Sequence, residues 1–299
     1  MRVLRYAVTG EDAGGAVRSV VPRRFSLGTH AFRRLKAQGG VLVDGRPVHA
    51  DYVLREGEVI ELRLPSSEGD GAALEAPPGL PGSHIRYRDG DLLIVSKGAP
   101  LATLPSIHQR TGTLREQLAA MLGQDERAFC YHPVNRLDKG TSGLLCVALH
   151  AHAQRLLAAQ LHTDAFVREY LAVTEGVPQR GEGVIDAPIA RSGQGARRCV
   201  REDGQRAVTR YRVERASRDR ALVRLRLFTG RTHQIRVHLA SIGCPIAGDY
   251  LYGRELPHLG GRFALHSAAL SLTQPITGER IALEEPLPPE LAALLSRDA

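Results

Sequence analysis

The 299-residue chain lacks the features that mark secreted, membrane-spanning or disulfide-stapled proteins. No apolar run approaches the ~20 residues that a helix needs to span a bilayer. Residues 1–6 lack the apolar core of a signal peptide. The four cysteines are far apart and form no Cys-x-x-Cys pair, which argues against a zinc site or a disulfide framework. We therefore expect a cytoplasmic protein that has no membrane partner.

Metal-binding and nucleotide-binding signatures are also missing. No histidine belongs to a recognisable metal-binding motif, and His233 and His238 are five residues apart, which is the wrong helical spacing for one zinc ion. There is no glycine-rich loop of the kind that binds nucleotides. We expect neither a metal nor a cofactor.

What the chain does contain is ordinary globular composition with an excess of positive charge. Hydrophobic residues make up 43% and charged residues 24% of the chain, which is long enough for one large domain and a small one. The net charge of +8 indicates a polyanionic partner. Charge alone does not separate nucleic acid from an anionic membrane.

The N-terminal region combines basic residues with a short α/β pattern. A helical pattern that includes Phe32 and Leu35 precedes residues 41–48, which predict a strand, an Asp-Gly turn and a second strand, and residues 59–62 predict a further strand. This pattern resembles the small RNA-binding fold of ribosomal small-subunit protein four; the alternative is a solvated cationic helix on a small β unit. The resemblance implies RNA contacts by five basic residues: Arg23, Arg24, Arg33, Arg34 and Lys36.

A stretch rich in Gly, Pro and Ser separates this region from the rest of the chain. We predict a small RNA-binding domain over residues 1–64, a linker over 65–83 and a larger domain over 84–299. In the larger domain strands dominate and do not alternate regularly with helices, so we expect an α+β fold with a mixed, mainly antiparallel sheet flanked by helices. The predicted strands are 92–97, 144–149, 167–173, 208–213, 221–228 and 264–272, and the predicted helices are one that begins at a Thr113–Glu116 capping box, 151–161, 232–243 and 287–296.

Residues 132–143 read His-Pro-Val-Asn-Arg-Leu-Asp-Lys-Gly-Thr-Ser-Gly and lead into an apolar run. Asp138 stands between Arg136 and Lys139, and flanking positive charge favours an ionised carboxylate. A carboxylate nucleophile needs that state. The alternative is a strand-entry turn with a surface ion pair.

Two further motifs contain groups that suit the same chemistry. Tyr170 lies in Arg-Glu-Tyr-Leu-Ala, and its phenol can act as an acid or base only if its pKa moves from the usual ~10; otherwise it is a half-buried strand aromatic. Arg236 lies on a predicted helix whose Ile235, Leu239 and Ile242 face inward, so it can present a guanidinium to a carboxylate. A basic helix face that touches phosphate is the alternative.

Together the three motifs resemble those of the RluA-type pseudouridine synthases. In that family the motif aspartate is the nucleophile, the arginine pairs with it and the tyrosine stands against the target base and serves in proton transfer, which implies these roles for Asp138, Arg236 and Tyr170. The family residue matching Arg136 fills the space that the target base leaves. Asn135 departs from the family, whose best-known members have His there. The resemblance implies a substrate-binding set made of Arg136, Asn135, Thr141, Arg231, His233, Gln234 and Leu265.

The resemblance implies an isomerase that converts specific uridines of structured RNA to pseudouridine, and we expect it to act as a monomer. The N-terminal unit favours large-subunit ribosomal RNA, and transfer RNA is the alternative target. A catalytically silent RNA-binding or assembly factor with the same fold is the alternative from another class. A two-carboxylate glycosidase would need a second acidic motif, and none is visible.

Overall fold

The structure is a computed structural model that describes residues 2–25, 27–64, 82–106, 109–193 and 195–296. The described residues form a four-stranded sheet, a ten-stranded sheet and a two-stranded ribbon. Of the predicted linker, only residues 82 and 83 lie within the described ranges. The proposed division into two domains therefore stays a prediction.

The N-terminal sheet is antiparallel with the strand order β1-β4-β2-β3, and two helices cover it. The predicted hairpin is confirmed, because Asp44 (φ 47°) and Gly45 (φ 75°) form a left-handed two-residue turn between β2 and β3. Strand β1 was not predicted, since its apolar residues do not alternate and its partner β4 lies more than fifty residues away. The elements are β1 (Arg2–Ala7), α1 (Val17–Arg24), α2 (Thr29–Ala37), β2 (Val41–Val43), β3 (Arg46–Pro47) and β4 (Val59–Leu64).

The large sheet has the order β10-β13-β14-β9-β15-β8-β6-β5, with β16 paired to β15 and β7 paired to β8. Among the described residues, β8 and β15 form its one parallel pair, which confirms the predicted mixed, mainly antiparallel α+β fold. The elements are β5 (His84–Arg88), β6 (Leu92–Lys97), α3 (Leu114–Met121), β7 (His132–Pro133), β8 (Ser142–Ala148), α4 (Ala151–Gln160), β9 (Phe166–Glu175), β10 (Glu182–Asp186), β11 (Ile189–Arg191), β12 (Arg198–Val200), β13 (Val208–Ala216), β14 (Arg220–Leu227), α5 (Gln234–Ser241), β15 (Leu265–Thr273), β16 (Arg280–Glu284) and α6 (Pro289–Ala292).

Several helix predictions need correction. Helix α5 begins at Gln234 rather than Thr232, because His233 adopts a left-handed backbone (φ 59°) that a helix cannot contain. Ile242 is the residue after α5 and is 36% exposed, so its predicted burial is wrong. The predicted closing helix is broken into α6 and a 3-10 turn, Ala293–Leu295.

The predicted capping box is also incomplete. Thr113 is the N-cap of α3, but its hydroxyl donates to the Glu116 carboxylate at 3.2 Å and does not cap the helix. The Glu116 carboxylate instead accepts from the Gly112 amide at 2.8 Å. The prediction of a helix here is confirmed, and its detailed cap is wrong.

The N-terminal unit packs against the large sheet. Arg2 Nε lies 3.1 Å from Oδ1 of the buried Asp91, which also contacts His150 and Gln274. Ile276 packs against the N-terminal core. Within the described ranges, no helix combines the length and the apolar character that crossing a bilayer requires.

Candidate active site

The loop between β7 and β8 places Asp138 over the centre of the large sheet. The loop is tied down by backbone contacts, with the Leu101 amide donating to the Lys139 carbonyl at 2.9 Å and Thr103 Oγ1 donating to the Leu137 carbonyl at 2.8 Å. Leu137 is buried, while the carboxylate of Asp138 remains 30% exposed. The loop therefore anchors itself on one side and presents a carboxylate on the other.

The small residues after Asp138 are needed because the chain passes close to its neighbours. A Cβ at Gly140 would lie 2.6 Å from the Phe263 ring. Gly143 has φ 102°, and a Cβ there would lie 2.3 Å from the Ser267 carbonyl oxygen. The Gly-Thr-Ser-Gly run lets the loop approach β15 and the residues before it.

A buried lysine also contacts the loop that carries Asp138. Lys97 is 1% exposed, and its ammonium donates to the carbonyls of Gly98 at 2.9 Å, Leu101 at 2.8 Å and Lys139 at 3.4 Å. Burial lowers the pKa of Lys97 to about 7, although the nearby Asp138 carboxylate opposes the shift. Lys97 therefore links the end of β6 both to the segment of Leu101 and to the loop that carries Asp138.

Arg236 connects two aspartates. Its Nη1 donates to Asp138 Oδ2 at 3.1 Å, while Nε and Nη2 form a bidentate pair with Asp249 at 2.7 and 2.8 Å. The guanidinium lies 4.2 Å from the centre of the Phe263 ring and 5.0 Å from that of Tyr252. Burial acts to lower the pKa of Arg236, but the bonds and charge of Asp249 and Asp138 outweigh it and hold that pKa above its usual value.

The cation that contacts Asp138 is thus Arg236 and not a sequence neighbour. The side chains of Arg136 and Lys139 are exposed, and within the described residues neither forms an ion pair with Asp138. The two flanking cations that the sequence points to are therefore not the direct partners of the carboxylate within the described residues. Exposed cations are screened by water, whereas a buried guanidinium at 3.1 Å is not.

Tyr170 stands on β9 opposite Leu225 of β14 and Ser267 of β15. Its ring is buried, and burial raises the pKa of its phenol. At neutral pH the phenol is therefore protonated. A protonated phenol can donate a hydrogen bond or a proton. It can act as a base only after it has lost its own proton.

A cleft of about 630 Å³ opens over these groups. Asp138, Arg136, Tyr170, Arg231 and His233 all line it. The structure brings all ten predicted catalytic and substrate-binding residues to this cleft or to a smaller pocket that shares Asp138 and Tyr170 with it, and the remaining five are Asn135, Thr141, Gln234, Arg236 and Leu265.

Two members of that set have amide groups engaged within the protein. Asn135 is buried, and its Oδ1 accepts from the Cys146 amide at 2.9 Å. Gln234 is buried as well, with Oε1 accepting from Thr229 Oγ1 and the Arg231 amide, and Nε2 donating to the Val208 carbonyl. Both residues hold cleft-lining loops in place through these bonds.

Sequence reasoning missed four residues that build the site: Lys97, Asp249, Tyr252 and Phe263. Asp249 and Tyr252 belong to the Gly-Asp-Tyr-Leu-Tyr-Gly stretch that follows the third motif, so a signal was present without a role attached to it. Lys97 ends an apolar strand, where a charged residue reads as solvent-facing. Among the described residues, no group of three or more His, Cys, Asp or Glu is arranged to hold a metal ion.

The five predicted RNA-binding residues of the N-terminal unit fall into two groups. Arg23 and Arg24 form ion pairs with the buried Asp12, and Arg24 also contacts Glu11. The other three lie on α2, and no ion pair to them is found within the described residues: Arg33, Arg34 and Lys36.

Comparisons with known proteins agree with this site. Residues 92–241 match the family model described as RNA pseudouridylate synthase. The uncharacterized RNA pseudouridine synthase YjbO of Bacillus subtilis is 36% identical over 87% of this chain and 92% of its own length. A ribosomal large subunit pseudouridine synthase D of Nitrosomonas europaea is 43% identical over 85% of this chain and 76% of its own length.

A solved structure shares the fold. Human RNA pseudouridylate synthase domain containing 4 superimposes with a TM-score of 0.57 at 25% identity, covering 71% of this chain and 92% of that one. The fold, the cleft and these relatives define an isomerase that acts on RNA. The chain belongs to the RluA-type RNA pseudouridine synthases.

Proposed function

We propose that this enzyme converts a specific uridine of large-subunit ribosomal RNA to pseudouridine, with Asp138 as the nucleophile. The observation that carries the catalytic part is the 3.1 Å contact between Arg236 and Asp138 in a cleft that Tyr170 also lines. The target rests on the names of relatives, since synthases D from three bacteria are named for the ribosomal large subunit and are 36–43% identical to this chain.

The rearrangement moves one glycosidic bond without net oxidation or reduction. The bond from C1′ of the ribose to N1 of uracil breaks, a bond from C1′ to C5 forms, the hydrogen at C5 leaves as a proton and N1 gains a proton. Asp138 attacks C1′ or assists an elimination that gives a glycal. Either route needs an ionised carboxylate that is held near the sugar.

Arg236 supplies the positive charge that pairs with the Asp138 carboxylate and orients it. Because Asp249 grips two of its nitrogens, the guanidinium can turn only a third nitrogen toward Asp138. A bidentate pair fixes the plane of the guanidinium, so the position of the nucleophile is set by a buried group. Asp249 is therefore a positioning residue in this scheme.

Tyr170 packs against the uracil and takes part in proton transfer. Because its phenol is protonated at neutral pH, we assign it first the role of a hydrogen-bond or proton donor to the departing uracil. It can take up the C5 proton only after that donation. Leu265 and Thr141 line the smaller pocket together with Tyr170, and we assign them to the binding of the base.

A target base within an RNA helix must leave the stack, which costs a few kcal/mol. Arg136 is exposed at the mouth of the cleft, beside the nucleophile. Its planar guanidinium can stack where the base was. Arg231 is the other exposed cation of the predicted set at the cleft, and we assign it to the flanking phosphates.

We assign RNA binding outside the cleft to the N-terminal unit, residues 1–64, and catalysis to residues 84–299. Within the N-terminal unit, α2 offers three cations without a partner among the described residues. Such cations can neutralise the phosphates of the RNA backbone.

The test is a map of pseudouridines across all ribosomal and transfer RNAs from a strain that lacks the gene, beside wild type. We expect one or a few large-subunit sites to be missing, restored by the wild-type gene and not by Asp138→Asn. Loss of a transfer RNA site instead would overturn the target. An unchanged map with RNA binding intact would favour the catalytically silent binding protein.

A further inference from the structure

His233 lies between the nucleophile and a tyrosine hydroxyl. It is the residue before α5 and has a left-handed backbone (φ 59°), a conformation that a few per cent of non-glycine residues adopt and in which Asn, Asp and His are enriched. Its Nδ1 is 2.8 Å from Tyr252 Oη, and its Nε2 is 4.0 Å from Asp138 Oδ2. The imidazole therefore has one nitrogen facing each group.

The hydroxyl of Tyr252 has a second partner, which decides where the imidazole proton sits. The backbone amide of Arg198 approaches Tyr252 Oη at 2.8 Å, and an amide N–H can only donate. The Tyr252 oxygen accepts a hydrogen bond from the Arg198 amide, so the Tyr252 hydroxyl can donate its own proton to His233 Nδ1. If His233 Nδ1 donated instead, the phenolic proton would have no acceptor within the described residues.

Accepting at Nδ1 leaves the single proton of a neutral imidazole on Nε2, the nitrogen that faces Asp138. Burial lowers the pKa of His233, as do the charges of Arg236 and Arg198, while Asp138 and Asp249 act in the opposite direction. The net direction is down, so the ring is neutral at neutral pH.

We propose that His233 is a positioning residue that presents a neutral Nε2–H donor to Asp138, with its tautomer set by the Arg198 amide through the Tyr252 hydroxyl. This role requires that the 4.0 Å separation between Nε2 and Asp138 Oδ2 close to hydrogen-bond distance when uridine occupies the cleft. Arg236 supplies the charge at Asp138, and His233 supplies a second donor without a second charge. The inference rests on the proposed role of Asp138 as the nucleophile.

This arrangement also excludes one role for the histidine. A general base needs a free lone pair that faces the substrate. The lone pair of His233 at Nδ1 accepts from Tyr252, and the nitrogen at the cleft already holds a proton. His233 therefore does not remove the C5 proton of uracil.

The tautomer can be read directly in the RNA-free protein, so this test does not depend on the identity of the substrate. In histidine labelled with nitrogen-15, we expect His233 to show a pyridine-like shift at Nδ1 and a pyrrole-like shift at Nε2, assigned by the signals that vanish in His233→Gln. In Tyr252→Phe, which removes only the hydroxyl, we expect a mixture of tautomers. The opposite tautomer in the wild type, or an unchanged tautomer in Tyr252→Phe, would overturn the proposal.

Two substitutions at His233 separate positioning from a backbone role. A glutamine amide nitrogen can reach the place of Nε2, whereas an asparagine amide reaches only that of Nδ1. We expect His233→Gln to stay within about threefold of the wild-type single-turnover rate and His233→Asn to fall by about tenfold or more, the scale of one lost hydrogen bond to a charged group. A purely structural role predicts the reverse order, because asparagine tolerates the left-handed backbone better than glutamine.

The rate is measured as tritium released from large-subunit ribosomal RNA transcripts that carry tritium at C5 of uridine. Release by the wild type is the positive control, and its absence would count against the proposed target rather than against the role of His233. Melting temperatures of both variants report whether either has lost the fold. His233→Asn as fast as His233→Gln would overturn the proposal.

Discussion

The molecule contains two aspartate–arginine networks that are built in opposite ways. At the cleft, one buried arginine lies between the buried Asp249 and the partly exposed Asp138. In the N-terminal unit, one buried aspartate, Asp12, lies between two partly exposed arginines. The residue types are the same, and only the sign of the buried central group differs.

That difference decides which group each network offers to a ligand. Two carboxylates and one guanidinium leave one negative charge at the cleft, on an atom that a substrate can reach. In the N-terminal network Glu11 joins Arg24, so two carboxylates balance two guanidinium groups. The first network is suited to chemistry on an electrophilic sugar carbon, and the second holds α1 against the segment before it.

The two networks should differ most in how much stability is lost when an arginine is replaced. We expect Arg236→Gln to cost roughly 3–5 kcal/mol of unfolding free energy, because it leaves Asp249 buried without a counter-charge. Arg23→Gln should have a much smaller effect, since Arg23 is exposed and Arg24 still holds Asp12. Denaturant unfolding followed by circular dichroism measures both, as the chain has no tryptophan.

A double variant sharpens this prediction. Arg236→Gln with Asp249→Asn removes the buried charge as well as its partner, so much of the lost stability should return while activity does not. If Arg236→Gln alone is as stable as the wild type, the buried pair is not what the network depends on.

The next effect concerns acid stability and compares a histidine of the large sheet with a histidine beside the N-terminal unit. Burial lowers the pKa of both His266, beside the catalytic loop, and His152, beside the N-terminal unit, to about 4. Each unfolded histidine binds its proton near pH 6.5, so the unfolded state holds more protons between pH 6.5 and 4. Stability is therefore complete above pH 6.5 and should fall by roughly 3 kcal/mol per histidine as the pH drops to 4.

Denaturant titrations at several pH values test this. We expect His266→Asn or His152→Gln each to remove about half of the pH dependence that the two residues share. A dependence that is unchanged in both variants would show that other groups cause the acid sensitivity.

The smallest effect is on RNA affinity. It should differ between the predicted basic residues of α1 and those of α2. Replacing the three α2 cations with glutamine should flatten the dependence of log affinity on log salt by roughly 0.7–0.9 per lost phosphate contact, the values for single-stranded and duplex nucleic acid. Arg23→Gln with Arg24→Gln should change the slope less, because those arginines are paired within the protein. Filter binding of the same transcript across a salt series gives both slopes. The α2 set is Arg33, Arg34 and Lys36.

A charge-matched control replaces three exposed arginines with glutamine. They lie near the end of β13 and β14 that is opposite to the cleft-lining Leu227: Arg180, Arg215 and Arg218. This triple variant has the same net charge as the α2 variant. Equal loss of slope in the two would mean that overall charge, and not α2, determines RNA affinity.

The sequence was sufficient to bring Asp138 and Arg236 together, because long motifs contain both residues, and the structure places them 3.1 Å apart. It could not show that Asp249 orients Arg236, since this depends on how the chain after α5 folds back. The sequence also could not distinguish the paired arginines of α1 from the basic residues of α2, because the partner of the α1 arginines is a buried aspartate in a preceding turn.

Irregular segments account for most of the missed structure. The ribbon of β11 and β12 has strands of three residues with charged members, so it has no clear alternation. Lys97 reads as an exposed strand end, yet it is buried because three carbonyl groups converge on it. Such convergence arises from tertiary packing, which local patterns do not encode.

The central claim is that Asp138 is the nucleophile and that its network serves chemistry rather than folding. The most direct measurement is tritium release and RNA affinity of Asp138→Asn side by side, using RNA that the wild type modifies. We predict no release, with affinity within a few-fold of the wild type, because the side chain is partly exposed and Asn keeps its shape. Continued release, or loss of RNA binding in place of turnover, would contradict the account.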